Sequence, residues 1–335
     1  MIDFRSDTVT QPTAAMRLAM SRAEVGDDYY QDDPSVNQLQ EYAADLLGFD
    51  AALFTPSGTQ ANLLALMSHC GRGDEYICGQ SAHNYRFEGG GAAVLGSIQP
   101  QPLTNQADGT ILLSDIKSAI KPDDIHFAQT RLISLENTIG GIVLPQSYLA
   151  NAQKLAFDHH LKIHLDGARV ANAAIAQNGK IANIAQHFDS MSLCLSKGLC
   201  APVGSLLLGD EKFIAKARRW RKMLGGGMRQ AGILATAGML ALTQQFERLA
   251  EDHDNAQYLA SELSQIDGFS VDMAKVQTNM LFVNIADNIN ILKLASELKN
   301  SSILISADNP MRLVTHNDIK RADINIFINT VKSLI

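Results

Sequence analysis

Short alternating runs separated by helical stretches organise this chain. Residues 161–166 alternate apolar and polar side chains and stop at Gly167, and residues 191–196 alternate again and stop at Lys197-Gly198. Residues 132–135 and 205–208 are shorter apolar runs, and residues 59–70 read as a helix opening after Pro56-Ser57-Gly58. Period-two runs interleaved with helices predict an α/β unit with a mainly parallel sheet. After about Leu240 the texture changes. A long helical segment over 241–266 precedes a strand over 279–285, and helix and strand patterns then continue to Ile335. This predicts a large α/β domain over 1–245 and a smaller C-terminal α+β domain over 246–335.

Composition narrows the class without naming a function. Hydrophobic residues make up 46% of the 335 positions and charged residues 19%, ordinary for a globular protein. The net charge of -7 gives no electrostatic footprint for nucleic acid and disfavours an anionic membrane surface. One basic run, Arg218-Arg219-Trp220-Arg221-Lys222, reads as a solvated helix face. The first ten residues are polar and charged, unlike a signal peptide, and no apolar run approaches the roughly 20 residues that span a bilayer. Cys70, Cys78, Cys194 and Cys200 form no CxxC pair, and no histidines stand around them at zinc spacing. Reduced, buried thiols, a cytoplasmic location and no metal site are expected.

Three features fall at the ends of predicted elements, where open α/β sheets bind ligands. Lys197 follows a strand. A lysine condenses with an aldehyde when held neutral and in place, although taken singly it reads as a solvated loop residue. Asp166 closes another strand in Asp166-Gly-Ala-Arg169. It suits the nitrogen of a pyridine ring, or alternatively the cap of the next helix. Ser57-Gly58-Thr59-Gln60 opens a helix whose free N–H groups suit a phosphate, or is a plain N-cap. It is no Walker loop. A phosphate cup, a strand-end aspartate and, 31 residues later, a strand-end lysine form the chain order of fold-type I pyridoxal 5′-phosphate (PLP) enzymes.

The motifs extend well beyond these three. They include Asp3-Phe-Arg-Ser-Asp-Thr-Val-Thr10, Ser57-Gly-Thr-Gln-Ala-Asn62, Ala82-His-Asn84, Leu135-Glu-Asn-Thr138, His164-Leu-Asp-Gly-Ala-Arg169, Leu195-Ser-Lys-Gly198, Gly225-Gly-Gly-Met-Arg229 and Arg312-Leu-Val-Thr-His316. On these the chain resembles the low-specificity L-threonine aldolases, within the threonine aldolase / aromatic amino acid β-eliminating lyase group, over nearly its whole length. The resemblance implies an aspartate aminotransferase-like fold of type I and PLP held covalently on Lys197. It implies Asp166 against the ring nitrogen, His83 stacked on the ring, and Gly58 and Thr59 at the phosphate. Arg169 and Arg312 match the arginines near the cofactor hydroxyl and the substrate carboxylate, and Ser6 a further carboxylate contact. His126 matches a histidine near the substrate hydroxyl. Lys222 and Arg229 match basic residues reaching a neighbouring subunit's cofactor in a homotetramer built from dimers.

Two departures are visible. Cys200 stands where a glycine is expected, and Ile139-Gly140-Gly141 replaces a more polar stretch. The implied reaction is retro-aldol cleavage of L-threonine, L-allo-threonine and related β-hydroxy-α-amino acids to glycine and an aldehyde. Two rivals are another PLP reaction on the same fold and a non-catalytic binder. Lys197→Ala is expected to abolish the near-visible absorbance of lysine-bound cofactor and nearly all turnover; cofactor attached through another lysine would overturn the assignment. Asp166→Asn is expected to keep some cofactor and lose most of the rate.

Overall fold

The computed structural model describes residues 1–335. Seven strands form the central sheet. In spatial order they are Ala51–Thr55, Ser205–Gly209, Ser190–Cys194, Lys162–Gly167, Gln129–Glu136, Asp74–Gly79 and Gln99–Leu103. Only Ser205–Gly209 runs against its neighbours. Helices such as Gly58–His69 pack on the sheet and close its faces, as parallel strands require. The mainly parallel α/β reading therefore holds, and each strand expected from the alternating and apolar runs is present.

The alternation itself has another origin than a half-exposed sheet. Every residue of Ser190–Cys194 is buried, as are His164 and Asp166 in Lys162–Gly167. The polar positions of these strands face protein, not water, so each needs an internal hydrogen-bond partner. Gly167 is required at its place, because a Cβ there would stand 2.2 Å from the Ser192 carbonyl oxygen.

A second core is built from Ala256 to Val331 around the antiparallel strands Phe269–Val271, Met280–Ile285 and Met311–Val314. The long helix expected over 241–266 is two helices, Gly232–Gln244 and Leu249–Leu263. The break lets the first pack on the larger core and the second on the smaller one. No helix is long and apolar enough to cross a membrane.

The N-terminal segment stitches the two cores together. Ile2–Asp3 pairs in parallel with Ile303–Leu304, and Phe4 lies wholly inside the second core. Asp7 is buried between units. Its carboxylate accepts from Arg169 Nε at 2.9 Å and Nη2 at 2.6 Å, and from Asn279 Nδ2 at 3.3 Å. Thr10 Oγ1 donates to the Lys197 carbonyl oxygen at 2.9 Å. Burial alone would raise the Asp7 pKa, but the Arg169 charge and hydrogen bonds outweigh it and hold the group at about 2, below its ordinary 3.8.

Asp7→Ala leaves the Arg169 guanidinium without its carboxylate and is expected to cost roughly 3–5 kcal/mol of stability in urea unfolding. Because the folded pKa is depressed, the carboxylate's contribution is complete above 3.8 and is lost as pH falls through about 2. The Asp7→Ala protein should therefore show a shallower loss of stability across that window.

Candidate active site

Loops at the carboxyl ends of the parallel strands bring the chemistry together. Asp166 ends Lys162–Gly167, Lys197 follows Ser190–Cys194, and Gly58 and Thr59 open the twelve-residue helix Gly58–His69. All four line one cavity of about 230 Å³, which His83 also borders. Ser57 caps the helix by accepting from Gln60 N at 3.1 Å. The plain N-cap and the phosphate readings are thus compatible, since the N–H groups of the first residues remain free. Ser205 Oγ is buried without a partner and lies 3.5 Å from where a Cβ on Gly58 would stand, leaving one more hydroxyl available beside the helix N-terminus.

Around Asp166 the carboxyl groups are crowded. Asp166 Oδ1 accepts from Ala168 N at 3.0 Å, and Oδ2 accepts from Asn62 Nδ2 at 2.7 Å. The same Asn62 nitrogen donates to Glu88 Oε1 at 2.9 Å, and that oxygen lies 2.9 Å from His83 Nδ1. The His83 backbone N–H donates to Glu136 Oε2 at 2.7 Å. Burial raises the Glu88 pKa, and the Glu88 hydrogen bond raises that of His83, so both hold a proton more firmly than usual. Burial, then the Asp166 charge, push Glu136 up to about 8. His83, Glu88 and Asp166 bring ligand-type atoms within 4.8 Å of one another, but the Asn62 amide already donates to both carboxylates. That arrangement is a hydrogen-bonded carboxylate pair.

A second, larger cavity of about 710 Å³ adjoins the first across His83. Arg86, Arg169, Lys275, Arg312 and Glu136 are among its polar lining, and Phe87, Ile139 and Phe282 among its apolar lining. Both guanidinium nitrogens that Arg169 offers to Asp7 are committed. Arg312 differs: Nη2 donates to the Arg5 carbonyl oxygen at 2.9 Å, while Nε is buried with no partner. An orphaned charged donor beside a cavity marks a place for an anion. Gly140 and Gly141 have φ of +56° and +83°, so the Ile139-Gly140-Gly141 departure forms a tight turn at the edge of this cavity.

The other expected residues lie elsewhere in the single chain. Ser6 caps the short Asp7–Val9 turn, accepting from Thr8 N at 3.2 Å. His126 is on an exposed turn with its Nδ1 2.6 Å from Asp124 Oδ1, and it borders neither cavity. The chain alone therefore does not bring it beside His83. Lys222 Nζ lies 4.3 Å from the Tyr29 ring centre, and Arg229 is an exposed residue 3.3 Å from Asp27 Oδ2. The basic run is not a uniformly solvated face: Arg221 is buried, 2.7 Å from Asp28 Oδ2, and donates to the Phe54 carbonyl oxygen. Cys200 has φ of +65°, which explains why a glycine is expected there. Burial pushes its thiol up to about 12, which removes thiolate reactivity. All four cysteines are free and buried.

Sequence reasoning assigned no role to Asp7, Asn62, Glu88 or Glu136. Three of these sit inside the motifs quoted above, and the motif membership was the available signal. Glu88 lies outside them, and only the fold brings it to His83.

Residues 3–286 match the beta-eliminating lyase family. The chain is 56% identical to the low specificity L-threonine aldolase of Escherichia coli K12, covering 96% of this chain and 95% of that protein. It is 42% identical to low-specificity L-threonine aldolase 1 of Arabidopsis thaliana, covering 97% and 93%. Its fold superposes on a threonine aldolase structure from Leishmania major with a TM-score of 0.85 at 22% identity, covering 100% and 99%. A cavity joining strand-end Lys197 and Asp166 to a helix N-terminus, carried on this fold and with these relatives, places the chain in the beta-eliminating lyase family, in its threonine aldolase branch.

Proposed function

We propose that the chain cleaves L-threonine, L-allo-threonine and related β-hydroxy-α-amino acids to glycine and an aldehyde, acetaldehyde from threonine, using PLP held covalently on Lys197. The observation that carries this reading is the pairing of the Lys197–Asp166 cavity with an adjoining one in which Arg312 Nε is buried and unpartnered. A binder of cofactor alone has no use for a carboxylate clamp. The residues suit PLP. Gly58, Thr59 and the free Ser205 hydroxyl offer donors to its phosphate, Asp166 offers a carboxylate to its ring nitrogen, and the His83 ring borders both cavities.

Bound PLP supplies the electron sink into which the electrons of the breaking Cα–Cβ bond flow. The protein's part is orientation and proton handling. Arg312 takes the substrate carboxylate, with Ser6 next in the chain to Arg5, whose carbonyl oxygen Arg312 holds. Arg169, held by Asp7, would serve the cofactor hydroxyl. Fixing the carboxylate would hold the substrate in one orientation and so determine which bond at Cα is presented for cleavage. His83 Nδ1 is taken by Glu88, which leaves Nε2 to meet the β-hydroxyl or a water against it. His126 enters this step only if assembly brings it in.

Assembly as a homotetramer of dimers accounts for the remaining residues. Lys222 and Arg229 line neither cavity of their own chain, and Lys222 borders a surface cavity of about 580 Å³ with Arg218, Arg219 and Tyr29. In the assembled enzyme they reach the phosphate of a neighbouring subunit. The two-domain division at 245/246, a cytoplasmic location and a place in threonine breakdown and glycine supply belong to the same reading.

Purified protein loaded with PLP should convert L-threonine to glycine and acetaldehyde; ammonia and a keto acid would indicate elimination and overturn the proposal. Arg312→Lys should raise KM for threonine by on the order of tenfold or more, since a lysine cannot form the paired contact. Cofactor absorbance should be unchanged, and an unaltered KM would remove Arg312 from carboxylate binding.

A further inference from the structure

Behind Asp166, buried polar positions of two neighbouring strands join side chains of the helix Gly58–His69 in one chain of hydrogen bonds. His69 Nε2 lies 2.6 Å from Ser190 Oγ, Ser190 Oγ lies 2.8 Å from His164 Nδ1, and His164 Nε2 lies 3.4 Å from Asn62 Oδ1. Asn62 Nδ2 then donates to Asp166 Oδ2 at 2.7 Å. The geometry of the elements produces this. Asn62 and His69 are two helical turns apart on Gly58–His69, so they share a face. His164 and Asp166 are two apart on a strand and share the other side of the same seam. Ser190, the first residue of the neighbouring strand, pairs in register with His164.

The direction of every link is determined. Asn62 serves two carboxylates, Asp166 and Glu88, and only its amide nitrogen can donate to them. Its oxygen therefore faces His164 and accepts, which puts the His164 proton on Nε2. Burial pushes both His164 and His69 down to about 3, so each ring is neutral with one N–H. His164 Nδ1 is then an acceptor, and Ser190 must donate to it. Ser190 in turn accepts from His69 Nε2–H, while the His69 ring stacks on Phe213 at 4.4 Å. All donors point toward Asp166. Aligned links polarise one another, and the sum places positive ends of dipoles against the carboxylate.

The geometry points to a positioning network, His69–Ser190–His164–Asn62, that keeps Asp166 an anion for the cofactor ring nitrogen and, through the second N–H of the same amide, holds Glu88 against His83. The residues act through Asp166 and touch neither substrate nor cofactor. The other charged or titratable groups facing Asp166 are His83 and Glu88 from the 83–88 segment, Glu136 from the adjoining strand, and Lys197 from the loop after Ser190–Cys194. Glu88 and Glu136 crowd Asp166 with two further carboxyl groups, and the network brings it a donor. The inference rests on Asp166 being the ring-nitrogen partner, as proposed above.

The test uses enzyme loaded with PLP carrying ¹⁵N at the ring nitrogen. It reads that nitrogen's chemical shift across pH, together with the PLP dissociation constant. His164→Leu should move loss of the ring proton to lower pH and weaken PLP binding roughly tenfold, the scale of one hydrogen bond to a charged group. Ser190→Ala should shift the titration in the same direction by less. His164→Gln, which keeps an N–H toward Asn62, should restore most of the wild-type titration. An unchanged ring-nitrogen titration in folded His164→Leu and Ser190→Ala overturns the network; should His164→Leu not fold, Ser190→Ala and His164→Gln decide on the same readout. Asp166→Asn separates the layers. A ring nitrogen deprotonated in that variant but unaffected in the others sinks the network alone, whereas a ring nitrogen still protonated in Asp166→Asn sinks the assignment beneath it.

Discussion

Four carboxyl groups converge on one small volume, and keeping them there is the constraint that the rest of the structure answers. Asp7, Glu88, Glu136 and Asp166 are withdrawn from water at the carboxyl ends of the parallel strands. Unpaired charges so placed are too costly to keep. The protein uses three different answers. Arg169 neutralises Asp7 with two hydrogen bonds. Asn62 divides its amide between Asp166 and Glu88. Glu136 keeps its proton, held by burial and by the Asp166 charge. Asp7 receives three donors, two from Arg169 and one from Asn279, and Asp166 receives two, from Asn62 and from the Ala168 N–H.

These answers draw on distant parts of the chain, which ties the site to the integrity of the whole fold. Asp7 and Arg169 are 162 residues apart, and Asp7 also meets Asn279 from the second core. The N-terminal segment cannot leave the small core without exposing Phe4 and uncovering Arg169. It also holds the Lys197 carbonyl oxygen through Thr10. The position of the lysine backbone is thereby coupled to the packing of both cores.

What was legible in the sequence was whatever sat at an element's end. Lys197, Asp166 and Gly58 fall where periodic runs stop, and the α/β reading placed those stops on one side of a sheet. The partners of these residues were not legible as partners, because no local pattern joins Asn62 to Asp166 across 104 positions or His83 to Glu136 across 53. The alternation that identified the strands was read correctly as a strand signal, yet its polar members, His164, Ser190 and Ser192, face inward. The single helix expected over 241–266 failed for a tertiary reason, since its halves serve different cores. His126, Lys222 and Arg229 belong to the site by resemblance, but a single folded chain does not carry them there.

The two arginines of the larger cavity differ in their electrostatic surroundings. Arg169 arrives with its counter-charge. With Asp7 bound at two nitrogens the pair is close to neutral, and an incoming carboxylate would have to compete with an internal one that is already desolvated. Arg312 has no acidic partner within salt-bridge distance, gives one hydrogen bond to a neutral carbonyl, and keeps a buried Nε unsatisfied. Under the proposed function, an amino-acid carboxylate arriving there would gain a charge-assisted contact and remove an existing penalty. Arg169, being compensated, contributes shape and a hydrogen-bonding surface at little cost to the charge balance. Exchanging the two environments by deleting Asp7 would not create a second clamp of equal worth, because an Arg169 freed of Asp7 would also lose the contacts that fix its direction.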